Sequence, residues 1–99
     1  VEIEDLKITV SNLSSDEIEK RKLDVNLKGV IVVDISPRSP LSKLLTSGDI
    51  IVELQKKPIR DTEDLKKVAK QIILNGKKTI LIRFINRNNQ PSYGTVKIK

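Results

Sequence analysis

The sequence predicts a small mixed α+β domain, a partly open β-barrel or sandwich of five to six strands with two to three helices. Three observations lead to this fold class. Short apolar runs rich in β-branched residues recur along the chain, Gly and Pro turn signals separate them, and one long amphipathic helix precedes the last strands. With 99 residues, the chain is predicted to be a single domain, residues 1–99.

The first third of the chain predicts a strand, a short helix and a second strand. Apolar and polar residues alternate over residues 6–10, as in a half-buried strand. Ser14 and Glu17 have the spacing of a capping box, so a short helix is expected to begin there and to end near Leu23. The β-branched run from Val30 to Ile35 then predicts a buried strand.

The central segment is divided by turn signals. Ser36-Pro37 and Ser39-Pro40 predict a loop, because proline fixes φ and cannot donate a backbone hydrogen bond within a central strand. The apolar residues of segment 41–45 predict one helical turn. Gly48-Asp49 predicts a tight turn into the next strand, residues 50–54.

The last third contains the clearest helix. Asp61 is its predicted N-cap and Asn75-Gly76 its stop signal. Apolar residues recur at helical spacing on one face: Leu65, Val68, Ala69, Ile72 and Ile73. Residues 79–85 and 92–98 predict two closing strands joined by a polar turn over residues 86–90.

The composition excludes most catalytic sites. The chain has no His and no Cys, so it cannot form a Ser-His-Asp triad, a Cys-His dyad, or a His- or thiolate-based metal site. Its acidic residues are scattered, and those near residue 61 suit the first turn of a helix. We therefore expect no catalytic activity, no metal and no cofactor in this chain.

Charge and hydropathy restrict the partners. The net charge of +6 leaves a small basic nucleic-acid-binding domain as one alternative function. Only one Tyr and one Phe accompany the dispersed lysines, so no specific nucleic-acid binding is expected. The apolar runs are too short for membrane insertion. The chain begins at Val1 and contains no Met, which suggests a segment of a longer protein.

The segment from Lys28 to Ile59, KGVIVVDISPRSPLSKLLTSGDIIVELQKKPI, resembles the core of a PDZ domain of bacterial HtrA/DegP-type (Do-like) serine proteases. The resemblance extends from Leu6 to Ile98, because the capped helix and two closing strands follow in the family's order. The N-terminal pattern, with a chain ending just after the last strand, is more similar to the second, C-terminal PDZ domain of that family.

The resemblance implies a function. It predicts a non-catalytic regulatory domain of a periplasmic serine endopeptidase in protein quality control. Its partners would be polypeptide C-termini or unfolded protein segments, bound by strand addition, and sister protomers of the parent protease. A purely architectural interaction module with a closed groove remains the alternative.

The resemblance also implies a peptide site. Backbone N–H groups of a loop would bind the terminal carboxylate, and the matching residues are Asp5, Leu6, Lys7 and Ile8. The incoming strand would pair with Ile8, Thr9 and Val10. The pocket for its last side chain would lie between Leu6, Ile8 and the helix face that carries Leu65, Val68, Ala69 and Ile72. Val68 and Ile72 suit the core equally well, whereas a Leu65→Lys change is expected to spoil the pocket and leave the fold largely intact.

Three departures from the family pattern predict local differences. Lys7 stands where glycine is favoured, so the loop must differ if that position needs a positive φ. Gln55-Lys56 replaces Asn-Gly, which predicts a remodelled hairpin turn. The segment before Gly48 lacks the usual glycine and is about one residue shorter. These departures predict a divergent domain with a degraded or restricted groove.

Overall fold

The computed structural model describes residues 1–97, which form seven strands in one antiparallel sheet and two α-helices. In chain order the elements are β1 (Glu2–Ile3), β2 (Ile8–Asn12), α1 (Ser15–Lys20), β3 (Val30–Ile35), β4 (Ile50–Leu54), β5 (Lys57–Pro58), α2 (Thr62–Leu74), β6 (Thr79–Ile85) and β7 (Pro91–Lys97). The strand order is β1-β2-β3-β4-β6-β7, and β5 pairs with β4 outside this path. The predicted fold class is confirmed.

The long helix α2 has the predicted boundaries because its end signals are local. The Asp61 side chain accepts a hydrogen bond from the Asp64 N–H at 2.9 Å, which caps the first turn. At the other end Gly76 has a φ of 64°, and its N–H bonds the Ile73 carbonyl oxygen. The Lys77 N–H bonds the Ile72 carbonyl oxygen, which completes a Schellman motif.

The hydrophobic core lies between the sheet and α2. Inward-facing residues of the strands meet the apolar stripe of the helix in one cluster of buried side chains. Leu41 and Leu45, from the predicted helical turn, are also fully buried, and the Leu45 N–H bonds the Leu41 carbonyl oxygen at 2.9 Å. This turn therefore adds a second apolar segment to the core.

Strand boundaries differ from the prediction at both ends of the chain. The first predicted strand begins at Ile8, because residues 4–7 form a turn. Before that turn, β1 is an additional strand that the sequence did not indicate. The last strand begins at Pro91, one residue before its predicted start, and its predicted end at Ile98 lies outside the described residues.

The β4–β5 turn corrects one expectation. Gln55 and Lys56 have φ values of 54° and 65°, and Leu54 pairs directly with Lys57. Positive φ at both central residues is the pattern of the two-residue hairpin that Asn-Gly favours. The tight turn is therefore kept rather than remodelled, with two non-glycine residues in left-handed backbone.

We expect a Lys56→Gly variant to be more stable than the wild type by about 1 kcal/mol, because a left-handed non-glycine residue costs roughly 1–2 kcal/mol. Urea unfolding followed by circular dichroism measures this difference. The matched control is Lys70→Gly, at an exposed position inside α2, which should instead lose about 1 kcal/mol. A Lys56→Gly variant that is less stable than the wild type would contradict the prediction.

Candidate functional site

The predicted carboxylate-binding loop is the four-residue turn between β1 and β2. Leu6 is completely buried, whereas the side chains of Asp5 and Lys7 are exposed. Lys7 has a φ of 55°, in the left-handed region. This position thus does need a positive φ. A lysine in this conformation costs about 1–2 kcal/mol of stability.

The loop is held by the Ser-Pro segment that follows β3. The buried Ser39 hydroxyl donates to the Leu6 carbonyl oxygen at 2.6 Å and accepts from the Leu41 N–H at 3.0 Å. The Ser36 N–H donates to the Lys7 carbonyl oxygen at 3.1 Å. The sequence identified these serines only as turn residues, because their partners lie about thirty positions away.

The predicted peptide-pairing strand is β2. Ile8 and Val10 point into the core, and Thr9 is half-buried on the opposite face. One edge of β2 pairs with β3, with a register shift between Thr9 and Val10. The other edge is the one on which an incoming strand was predicted to add.

That second edge is occupied by β1, which runs antiparallel to β2. Glu2 lies opposite Thr9, and Ile3 lies opposite Ile8. The Val10 N–H donates to the Val1 carbonyl oxygen at 2.8 Å, and the Val1 nitrogen donates to the Val10 carbonyl oxygen at 2.9 Å. The peptide-binding role of β2 stays a prediction, whereas its capacity to accept an antiparallel segment is a property of this structure.

The helix face predicted as the pocket wall is buried. Leu65, Val68, Ala69 and Ile72 belong to the same apolar cluster as Leu6, Ile8 and Val10. Val68 and Ile72 also line an open cavity between the end of α2 and the β4–β5 turn. Leu65 has no exposed surface, so the structure brings all the predicted apolar residues together as core.

Asn12 connects β2 to α2 through its side chain. Its side-chain oxygen accepts a hydrogen bond from the Thr62 N–H at 2.8 Å, at the first residue of the helix. The bond satisfies one of the N–H groups that the helix leaves without a partner. It ties the end of the strand to the beginning of the helix, and no local sequence signal indicated it.

Charged side chains surround the outside of β1. An open depression of about 670 Å³ lies between β1, the turn after it and the outer face of α2. Its strand side carries the acids Glu2, Glu4 and Asp5, and its helix side carries Glu63, Asp64, Lys66, Lys67 and Lys70. Arg60 hydrogen-bonds the Asp64 carboxylate at 3.0 Å and lowers its pKa, and the charge of Lys67 acts in the same direction.

Residues 1–97 contain no group of three or more potential metal-binding side chains. In the same range, no helix has the length and apolar character needed to cross a membrane. Each buried side-chain nitrogen or oxygen of the described part has a hydrogen-bond partner.

Solved structures share this arrangement of strands and helices. The HtrA-type protease AlgW with a decapeptide matches with a TM-score of 0.71 and 22% identity, over 93% of this chain and 27% of that chain. The PDZ domain of HtrA3, bound to the phage-derived ligand FGRWV, matches with a TM-score of 0.68 and 21% identity, over 93% of this chain and 82% of that domain. This chain folds as a PDZ domain. The resemblance inferred from residues 28–59 is confirmed at the level of the fold.

A further solved structure shares this PDZ fold, whereas the sequence comparisons found no match. A serine-to-alanine variant of AlgW, also with the decapeptide, matches with a TM-score of 0.72 and 22% identity over 93% of this chain. The chain spans about a quarter of the length of AlgW (27%). No protein-family model matches the chain. No curated protein sequence matches it either.

Proposed function

We propose that this PDZ domain binds extended polypeptide segments that end in an aliphatic residue, by adding them as a strand to β2. The observation that carries the proposal is the β2 edge, which already holds an antiparallel segment with an isoleucine side chain buried to 2% exposure. A strand that adds to a sheet edge gains main-chain hydrogen bonds, and a pocket then selects one side chain.

The similar structures support this function. AlgW is described with a decapeptide, and the HtrA3 PDZ domain is bound to a ligand whose last residue is valine. Valine and isoleucine are both β-branched and aliphatic, so either side chain suits an apolar pocket. In this chain the pocket side chains would be Leu6, Ile8 and Leu65, which share one buried cluster.

The biological setting follows from the same similarity. We propose that the domain is a non-catalytic regulatory part of a Do-like serine endopeptidase of the periplasm, with unfolded protein tails and sister protomers as its partners. Its likeness to an HtrA-type protease supports this setting. The chain has no histidine for a serine protease triad, which supports only the non-catalytic part of the proposal.

The occupied edge also favours a second candidate, the architectural module with a closed groove. In that function β1 is a permanent strand of the sheet, and no external segment pairs with β2. The two candidates predict opposite outcomes in a peptide titration, because only the first allows a ligand to contact β2.

We expect a peptide with the sequence Ser-Gly-Ser-Val-Glu-Ile and a free carboxylate to bind with micromolar affinity, since a short added strand buries little area. Nuclear magnetic resonance titration of the isotope-labelled chain should shift the amide signals of residues 6–10 and of α2. The same peptide with an amidated C-terminus should bind about tenfold more weakly or worse, because charge-assisted hydrogen bonds to the loop are lost. Unchanged signals in these segments at millimolar peptide would favour the architectural module.

A further inference from the structure

We propose that β1 is a built-in competing ligand of this domain, in which Ile3 takes the place of the C-terminal residue of a bound peptide. An external peptide then binds only after β1 leaves the groove. This inference rests on the proposed peptide-binding function and adds a regulation to the same site. Three observations on the segment before residue 6 support it: the position of the Ile3 side chain, the backbone hydrogen bonds and the surrounding charges.

The side chain of Ile3 lies in the position predicted for the last side chain of a bound peptide. It is 2% exposed and belongs to the buried cluster that contains Ile8 and Leu65. It stands opposite Ile8 in the antiparallel ladder, and α2 contacts both β1 and β2. A peptide paired with β2 in the same register would need this volume for its own aliphatic side chain.

The backbone of residues 3 and 4 also uses two of the loop N–H groups assigned to a carboxylate. The Leu6 N–H donates to the Ile3 carbonyl oxygen at 3.1 Å, and the Lys7 N–H donates to the Glu4 carbonyl oxygen at 3.3 Å. A terminal carboxylate would present two oxygens to these same donors. The loop is therefore satisfied internally while β1 is in place.

A β-hairpin alone would account for these hydrogen bonds but not for the position of the side chain. A four-residue turn requires only that the two strands pair. The outer edge of such a hairpin is usually open to solvent. Here α2 lies against the segment, and Lys66, Lys67 and Lys70 face its acidic side across the depression. The Ile3 side chain is thus enclosed between strand and helix, as the last side chain of a ligand would be.

Few interactions hold the segment in the groove. They are the pairing of residues 1–3 with β2 and one buried side chain, that of Ile3. For a binding site that is open only part of the time, the apparent dissociation constant is the intrinsic one divided by the open fraction. Weakening β1 should therefore strengthen peptide binding, whereas locking β1 should abolish it.

A disulfide lock tests the proposal directly, because the chain contains no cysteine of its own. Val1 and Val10 exchange both hydrogen bonds, so the adjacent pair of Glu2 and Thr9 is a non-hydrogen-bonded pair. Cα atoms of such pairs lie about 4.5 Å apart, within the range of a disulfide. In the Glu2→Cys/Thr9→Cys variant, we expect no binding of the Ser-Gly-Ser-Val-Glu-Ile peptide when oxidised, and binding that returns when the same variant is reduced.

A second variant loosens β1 instead of locking it. Ile3→Ser removes the buried aliphatic group, and we expect it to raise the affinity for the same peptide about tenfold or more. Val96→Ala is the control, because Val96 is a buried core residue of β7 at the far end of the strand order. This control lowers stability without touching the groove, so it should leave the affinity unchanged.

The outcomes separate the inference from the function on which it rests. If the oxidised lock binds the peptide as tightly as the reduced form, β1 does not compete and the inference is overturned, while peptide binding stands. If the wild type, the Ile3→Ser variant and the reduced pair all fail to bind any peptide, the proposed function itself is overturned. Loss on oxidation together with a gain in Ile3→Ser supports both.

Discussion

The Leu65→Lys variant should be largely unfolded at room temperature. Leu65 has no exposed surface, and truncating a buried leucine already costs roughly 3–5 kcal/mol. The lysine must also bury its ammonium or give up its charge, which adds to the cost. Small domains are stable by only about 5–15 kcal/mol in total, so little stability would remain. The burial of Leu65 therefore replaces the expectation from sequence that the change would spare the fold.

Circular dichroism and urea unfolding measure this effect. The matched control is Lys66→Leu, the reverse change at the next position, where the side chain is exposed. Substitutions at such surface positions usually alter stability by less than about 0.5 kcal/mol. A Leu65→Lys protein that unfolds cooperatively within about 1 kcal/mol of the wild type would show that the residue lies outside the core.

The Arg21→Ala variant should lose about 3 kcal/mol of stability, because one guanidinium joins three segments of the chain. Its nitrogens donate to the Gly48 carbonyl oxygen, the Asn86 carbonyl oxygen and the Asn89 side-chain oxygen, each at 2.8 Å. The Asn89 side chain returns a hydrogen bond to the Arg21 carbonyl oxygen at 2.9 Å. Removing the side chain takes one donor from each acceptor and frees α1 from both turns, although the Asn86 carbonyl oxygen keeps its bond from the Asn89 N–H.

Two controls test this explanation of Arg21. Arg21→Lys keeps the charge but replaces a planar group having five N–H donors by a single ammonium, so it should recover only part of the lost stability. Lys20→Ala removes a neighbouring exposed cation and should have almost no effect. If Arg21→Lys were as stable as the wild type, charge rather than the three-way hydrogen bonding would explain the role of the residue.

The elements that the sequence predicted correctly carry their signals locally. Asp61 and Gly76 delimit α2 through hydrogen bonds that span only a few residues. Strands β4 and β6 have the predicted limits because β-branched runs end at turn residues. The apolar side chains proposed for the site come together because a period of two on β2 and a helical period on α2 both point into one core.

The elements that the sequence missed depend on distant partners. A two-residue strand such as β1 has no periodicity, and it exists because β2 and α2 offer an edge and a pocket. Gln55 tolerates left-handed backbone because its N–H bonds the Leu81 carbonyl oxygen and its side chain accepts from the Leu81 N–H, both at 2.8 Å. Arg21 finds its acceptors 27 to 68 positions away.

The amino-acid sequence by itself determined the fold class, the order of the main elements and the exclusion of histidine- or cysteine-based catalysis. These properties depend on composition and on short-range periodicity, and both can be read directly from one sequence. Only the tertiary structure decided which strand edge is occupied, where left-handed lysines are accepted and which arginine joins the turns. Such properties arise from hydrogen bonds and apolar contacts between residues far apart in the chain. These interactions contribute to stability only in the folded state, where those residues are in contact.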